Sequence, residues 1–152
     1  MNTENDQQVI KYTITRLLAS REHSRYELAQ KLAQRNFNSQ LIQDWIEKFA
    51  AADIQSDQRF VEMLCRSRVN KGVGELSLRN ECRLHKIDAD LLNRVLASMQ
   101  VDWFELAERT LHKKLSGKTI DDARQQQKYY RFMLQRGFSA EQIHYAIQSV
   151  KE

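Results

Sequence analysis

Proline is absent from this chain of 152 residues, and glycine occurs at only four positions. All-β proteins need many tight turns, and those turns depend on residues such as Gly and Pro. A parallel α/β fold would need apolar strands rich in β-branched residues, and the sequence has no such run of useful length. The scarcity of turn residues therefore predicts an all-α protein with short polar connections.

Apolar residues recur at helical spacing along the whole chain. The spacing predicts a first amphipathic helix over about residues 6–20. Two later helices open with a capping box, Ser24 with Glu27 and Ser139 with Gln142. In such a box the serine hydroxyl accepts the third helical amide, and the longer side chain reaches back to the serine amide. With the polar breaks between them, these patterns predict nine helices in three sets of three.

The three sets of helices align with one another. Six positions of the first set recur in the third at an offset of 101 residues, and five of them recur in the second at an offset of 50. The aligned positions are Leu28, Leu32, Arg35, Phe37, Ile42 and Ile46, then Leu78, Cys82, Ile87, Leu92 and Leu96, then Tyr129, Met133, Arg136, Phe138, Ile143 and Ile147.

Any pair of helices with apolar stripes aligns to some degree, but the nearly equal spacing of three turns favours an internal repeat. Units of this kind cannot bury their apolar faces alone and stack on their neighbours. We therefore predict an elongated tandem array of three three-helix repeats. The predicted boundaries are 1–54, 55–101 and 102–152.

Several classes of protein do not fit the sequence. No run of 18 apolar residues occurs, so no helix is expected to span a membrane. Residues 1–6 are polar and slightly acidic, unlike the basic and apolar start of a signal peptide. Cys65 and Cys82 lie in apolar-periodic stretches, which predicts buried, reduced thiols and a cytoplasmic location.

The sequence offers no catalytic constellation. No pair of its histidines has the i, i+4 spacing of a helical zinc site. Cys82 lies three residues before His85, but no second Cys/His pair of this kind occurs to complete a metal site. The run from Ser116 to Thr119 resembles the end of a phosphate-binding loop, but His112 stands where that motif needs a glycine. We therefore expect no catalytic residues, no metal, no cofactor and no small-molecule substrate.

Basic residues concentrate in three segments of a chain whose net charge is +4. The middle repeat has six basic residues against two acidic ones between positions 64 and 86: Arg66, Arg68, Lys71, Arg79, Arg83 and Lys86. The third repeat has two further runs, Arg109, Lys113, Lys114 and Lys118, then Arg124, Lys128, Arg131 and Arg136. The last of these alternates with aromatic residues, which can stack on unpaired bases.

These basic segments have two interpretations. Each one is either a solvated helix face, which is the usual place of Lys and Arg, or part of a surface that binds a polyanion. Three such segments on a repeat scaffold favour the polyanion surface. The middle segment is the first choice for that contact, and the second choice is Lys113, Lys114, Lys128, Arg131 and Arg136.

Ordered motifs in all three repeats resemble the RecX family, bacterial regulators of the RecA recombinase. The resemblance covers nearly the whole chain. The motifs are Arg21-Glu22-His23-Ser24, Glu27-Leu28 and Lys31-Leu32; Asp57, Arg59-Phe60-Val61, Ser67-Arg68, Lys71-Gly72-Val73-Gly74, Arg79 and Glu81; and Asp102-Trp103, Leu106-Ala107, Arg131-Phe132, Leu134 and Arg136-Gly137-Phe138.

The resemblance implies a fold of tandem three-helix repeats and a function. RecX-like proteins bind RecA, lodge in the groove of the RecA–DNA filament, and inhibit its ATPase, strand-exchange and co-protease activities. They also bind single- and double-stranded DNA weakly, without sequence preference, and the family has no catalytic residues. Two positions depart from the family. Cys82 stands where leucine is common, and Lys86 stands at a turn that often has glycine, which predicts strain if φ is positive there.

Two other functions remain open at this point. Paired short helices are also typical of a helix-turn-helix transcriptional regulator that reads DNA sequence. Such a protein would prefer its own site over random DNA by at least ~10³. The chain could also be an α-helical adaptor with no nucleic-acid role, which would not bind DNA even at low salt.

Overall fold

The structure is a computed structural model that describes residues 3–151. Within that range the chain forms nine α-helices and no β-strand. The helices are α1 (Thr3–Ser20), α2 (Arg25–Ala33), α3 (Ser39–Ala51), α4 (Asp57–Asn70), α5 (Glu75–Leu84), α6 (Ala89–Met99), α7 (Trp103–Leu115), α8 (Ala123–Gln135) and α9 (Ala140–Lys151). Residues 1, 2 and 152, at the outer ends of the first and third predicted repeats, lie outside the described residues. The predicted all-α class and the three sets of three helices are confirmed.

The aligned apolar positions of the three repeats are the core positions of the structure. Leu28, Leu78 and Tyr129 are equivalent by the two sequence offsets, and all three are buried. The same holds for the sets that begin with Leu32, Ile42 and Ile46. The helices of each repeat therefore bury the same faces, as the helical period of the sequence predicts.

A left-handed residue precedes the third helix of every repeat. Asn36, Lys86 and Gly137 occupy equivalent positions, with φ of 61°, 58° and 97°. Asparagine and glycine adopt this conformation easily, whereas lysine pays a steric cost for its Cβ. The backbone at Lys86 therefore has the positive φ for which strain was predicted, and the middle repeat folds with that strain.

The capping boxes form as predicted at one helix and in part at another. At α9 the box is complete, because the amide of Gln142 donates to Ser139 Oγ and the Ser139 amide donates to Gln142 Oε1. At α2 the amide of Glu27 donates to Ser24 Oγ at 3.0 Å. The Glu27 carboxylate does not reach back, because it instead accepts two hydrogen bonds from the guanidinium of Arg21.

The chain divides into two compact units. The first unit extends to Met63 and also contains 85–87, and the second contains 64–84 and continues from Asp88. In the first unit α1, α2 and α3 enclose a core around Ile14, Leu28 and Ile46. In the second unit α7, α8 and α9 enclose a core around Leu111, Met133 and Ile143. No described helix is long and apolar enough to cross a membrane.

Both cysteines are buried free thiols in the second unit, as predicted. Burial raises the pKa of Cys65 to about 12, with a smaller contribution from Cys82. Burial likewise raises the pKa of Cys82 to about 11. Because the thiolate is the reactive form, both side chains are inert at neutral pH and act as small apolar residues.

His23 is a buried histidine in the first unit, between α1 and α2, and is 1% exposed. Its Nδ1–H donates to the carbonyl oxygen of Arg21 at 3.0 Å, and its Nε2 accepts from the Lys31 ammonium at 3.2 Å. This pair of contacts requires the neutral imidazole. Burial lowers the pKa of His23, and the cations Arg21 and Lys31 lower it further, against the carboxylate of Glu27 and the Arg21 carbonyl.

We expect the first unit to lose stability as the pH falls below the ordinary histidine pKa of about 6.5. Between that value and the lowered folded pKa, the unfolded chain binds a proton that the folded chain does not, so stability falls by at most about 1.4 kcal/mol per pH unit. Urea unfolding of wild type and His23→Gln from pH 7.5 to pH 5 measures the effect, and the variant should show a flatter profile. The exposed His112→Gln variant is the matched control. An equally steep profile in His23→Gln would contradict the assignment.

Candidate nucleic-acid interface

An open groove of about 480 Å³ lies within the second unit. The turn that follows α4 forms one wall, α7 forms another, and α8 supplies the rest. The lining residues are Val69, Asn70, Lys71, Gly72, Leu106, Arg109, Thr110, Lys113, Lys114, Phe132 and Arg136.

Every charged side chain around this groove is basic. Five cations line it, and we therefore call it the basic groove: Lys71, Arg109, Lys113, Lys114 and Arg136. Arg109 and Lys113 are spaced i, i+4 on α7, which places them on one helix face. A recess that collects positive charge without carboxylates attracts anions, and phosphate is the anion that Arg and Lys bind most readily in proteins.

Arg136 at the end of α8 fixes the position of the turn after α4. Its guanidinium Nη1 donates to the carbonyl oxygen of Lys71 at 2.9 Å, and its own carbonyl oxygen accepts from the Gly74 amide at 2.7 Å. A third hydrogen bond runs from the Leu76 amide to the carbonyl oxygen of Gly137 at 3.0 Å. Backbone of the second and third repeats is thus joined directly, and this junction brings Lys71 beside α7 and α8.

Two glycines make the close approach at this junction possible. A Cβ atom on Gly74 would lie 2.4 Å from the carbonyl carbon of Gly137, well inside any allowed contact. A Cβ atom on Gly137 would lie 2.4 Å from Ser77 Oγ, and the φ of Gly137 is 97°. The sequence motifs at these positions therefore shape the groove through backbone packing rather than through contact with a ligand.

Phe132 forms part of the apolar floor of the groove. The Lys114 ammonium lies 4.8 Å from the centre of its ring, and the Arg136 guanidinium carbon lies 5.2 Å from it. Cations over an aromatic face are attracted by the ring quadrupole. These contacts hold two of the five cations near the ring, so the charge of the groove is partly pre-positioned.

Two of the predicted cations in the middle repeat are already paired. Arg68 forms a bidentate ion pair with Glu81, with nitrogen–oxygen distances of 2.8 and 2.6 Å. The hydrogen bonds to Glu81 raise the pKa of Arg68, so its charge is permanent but neutralised locally. Arg79 pairs with Glu75 at 2.7 Å along α5. Each of these guanidiniums would have to leave a carboxylate in order to hold a phosphate.

The other predicted cations are distributed over both units. Arg66 is exposed on α4, and Arg83 is exposed on α5, where its Nη1 donates to Asn80 Oδ1. Lys128 and Arg131 line a second open depression along α8. Lys86 belongs to the first unit, where its ammonium lies 5.9 Å from the centre of the Tyr26 ring.

The structure therefore groups the predicted cations differently from the sequence. It brings Lys71 of the first-choice set together with Lys113, Lys114 and Arg136 of the second-choice set. Arg109 also lines the groove, although neither set included it. A usable sequence signal existed, because Arg109 and Lys113 lie one helical turn apart in a run without acidic residues.

Comparison with known families matches all three repeats to one family. Residues 13–49 match the first three-helix domain of RecX, residues 56–96 match the second, and residues 100–147 match the third. The three matches occur in the same order in the chain as in the family.

Curated relatives agree with the domain matches. Regulatory protein RecX of Haemophilus influenzae is 36% identical over 132 residues, which are 86% of this chain and 87% of that protein. Regulatory protein RecX of Vibrio vulnificus is 35% identical over 137 residues, which are 90% of each chain. The crystal structure of RecX from Lactobacillus salivarius superposes with a TM-score of 0.78 over 97% of this chain and 98% of that one. At 21% sequence identity, this structural likeness shows a shared fold.

Proposed function

This chain belongs to the RecX family of regulatory proteins, and from that premise we propose that it regulates RecA. It binds RecA and lodges in the groove of the RecA–DNA filament. There it inhibits the ATPase, strand-exchange and co-protease activities of RecA, and so limits homologous recombination and DNA repair. The observation that supports this most directly is the ordered match of all three RecX domains over residues 13–147.

The charge of the chain suits a partner that contains nucleic acid. A net charge of +4 favours association with a filament whose DNA is a polyanion. The proposed contact includes the basic residues already singled out: Arg66, Arg68, Lys71, Arg79, Arg83, Lys86, Lys113, Lys114, Lys128, Arg131 and Arg136. Regulation by binding needs no catalytic residue and no cofactor. Because RecA acts on DNA in the bacterial cytoplasm, the proposed location of this protein is also the cytoplasm.

The test of this function is DNA-dependent ATP hydrolysis by RecA, with the chain titrated from well below the RecA concentration to equimolar. We expect most of the hydrolysis to be lost within that range. Loss at amounts far below equimolar would support capping or destabilising of the filament, and loss near equimolar would support binding along it. Unchanged hydrolysis at every ratio would overturn the proposal.

Competition for DNA is a trivial route to the same loss, and it has its own control. The titration is repeated with single-stranded DNA in large excess over both proteins. Inhibition should persist, because the chain acts on RecA already assembled on DNA. Full recovery of hydrolysis with excess DNA would show that the chain only sequesters DNA, which would contradict binding to RecA.

A further inference from the structure

Some cations of this chain are already paired with a carboxylate, which a bound phosphate would have to displace, and others are not. Arg68 and Arg79 are paired with carboxylates, and a phosphate would need to break those ion pairs. Arg109, Lys113 and Lys114 are exposed beside a groove whose charged lining is entirely basic. The cost of re-pairing a charge is therefore lower in the groove than at Arg68 or Arg79.

The groove also has an apolar surface beside its charges. Val69, Leu106 and Phe132 line it together with the five cations. An isolated inorganic anion gains nothing from an apolar wall, because it remains hydrated on that side. A ligand that alternates phosphates with apolar sugar surface gains from both parts of the lining. That alternation is the chemistry of a nucleic-acid backbone.

The size of the groove suits a short stretch of one strand. A volume of about 480 Å³ lies in the range that encloses small organic ligands, which corresponds to one or two nucleotides. Phosphates that follow one another along a strand can meet cations spaced one turn apart on α7, where Arg109 and Lys113 lie. Lys71 and Arg136 line the same recess, where the Arg136 guanidinium donates to the backbone carbonyl oxygen of Lys71.

We propose that the basic groove binds the phosphodiester backbone of a single-stranded nucleic acid. This inference rests on the proposed function for the identity of the ligand, and it assigns DNA contact to one of several basic surfaces. The ion-paired cations of the middle repeat, Arg68 and Arg79, do not line this groove. The groove exists because the Gly74–Gly137 contact joins the second and third repeats.

The test uses the full chain without RecA. Fluorescence anisotropy follows binding of a labelled single-stranded oligonucleotide to wild type and to Lys113→Gln/Lys114→Gln, across about 50 to 200 mM salt. Loss of two phosphate contacts should reduce the slope of log affinity against log salt by about 1.4 and weaken binding at least tenfold at the low-salt end, as ~0.7 per contact predicts. The matched control is Arg16→Gln/Arg94→Gln, which removes the same charge from two exposed positions outside the groove.

In the binding titrations, any one of four results would overturn the assignment. The first is that wild type does not bind the oligonucleotide at low salt, and the second is that Lys113→Gln/Lys114→Gln binds it as tightly as wild type does. The third is that Arg16→Gln/Arg94→Gln weakens binding as much as the groove variant does. The fourth is that a duplex binds as tightly as a single strand and depends equally on the groove. Inorganic phosphate and ATP are added as competitors to distinguish a strand from a free anion. Displacement by either at the same phosphate concentration as the oligonucleotide would show a site for free anions and would also overturn the proposal. None of these results depends on RecA, so the ATPase test of the proposed function stands separately.

Discussion

Replacing Gly74 by alanine is expected to lower the free energy of unfolding of the second unit by about 3 kcal/mol. The new methyl carbon would lie 2.4 Å from backbone of Gly137 and 2.6 Å from the Phe138 amide nitrogen, and backbone cannot move aside as a flexible side chain can. The melting temperature of this unit should fall by about 12–24 °C. The chain has two tryptophans, Trp45 in the first unit and Trp103 in the second. A Trp45→Phe background therefore makes Trp103 fluorescence a specific reporter.

Gly117 offers a matched control for this substitution. A Cβ atom on Gly117 would meet nothing within 4 Å, although its φ of 86° is unfavourable for alanine. Gly117→Ala should therefore cost about 1 kcal/mol, from the backbone alone. Gly74 has no positive φ, so its larger cost measures the contact between repeats. A loss in Gly74→Ala no greater than in Gly117→Ala would show that the two repeats do not approach this closely.

Truncating Phe138 to alanine is expected to be more damaging still, at about 4 kcal/mol. Phe138 is 0% exposed in the core of the second unit, where α7, α8 and α9 meet. Removing its ring forfeits the transfer free energy of a large apolar group and leaves a cavity that the packed helices cannot fill. Urea unfolding followed by Trp103 fluorescence measures this loss.

Phe37→Ala is the control, because Phe37 occupies the equivalent position of the first repeat. Phe37 is partly buried, and the Arg35 guanidinium carbon lies 5.7 Å from the centre of its ring. Its truncation should cost about 1 kcal/mol, followed by Trp45 fluorescence in a Trp103→Phe background. Equal losses at the two positions would contradict the different burial that the structure shows, and would mean that sequence equivalence alone sets the energy.

Local features of the fold were predictable because their causes are local. The caps at Ser24 and Ser139 depend on side chains within one helical turn. Helical periodicity identified the buried faces of nine helices, since a residue's face follows from its position along the helix. The left-handed turn at Lys86 was expected from the resemblance to a family that often has glycine there, and the φ of Lys86 is 58°.

The sequence predicted which residues supply the positive charge of the candidate site, but not which of them lie together in space. Sequence runs grouped cations by proximity along the chain, and so joined Arg68 to Lys71. In the structure a carboxylate 13 positions away, on Glu81, pairs with Arg68. Lys71 instead lies beside Arg136, which is 65 positions away. Distances of that kind depend on how helices pack, and a charge pattern along one helix does not contain them.

The sequence by itself determined the helical class, the threefold repeat, the capped starts of α2 and α9 and the presence of excess positive charge, because each follows from short-range spacing and composition. The tertiary structure decided which cations are neutralised by carboxylates, which line one groove, and why Phe138 is buried when Phe37 is only half-buried. The physical reason is that charge pairing and burial depend on separations of a few ångströms. The contact between Gly74 and Gly137 sets those separations between the second and third repeats.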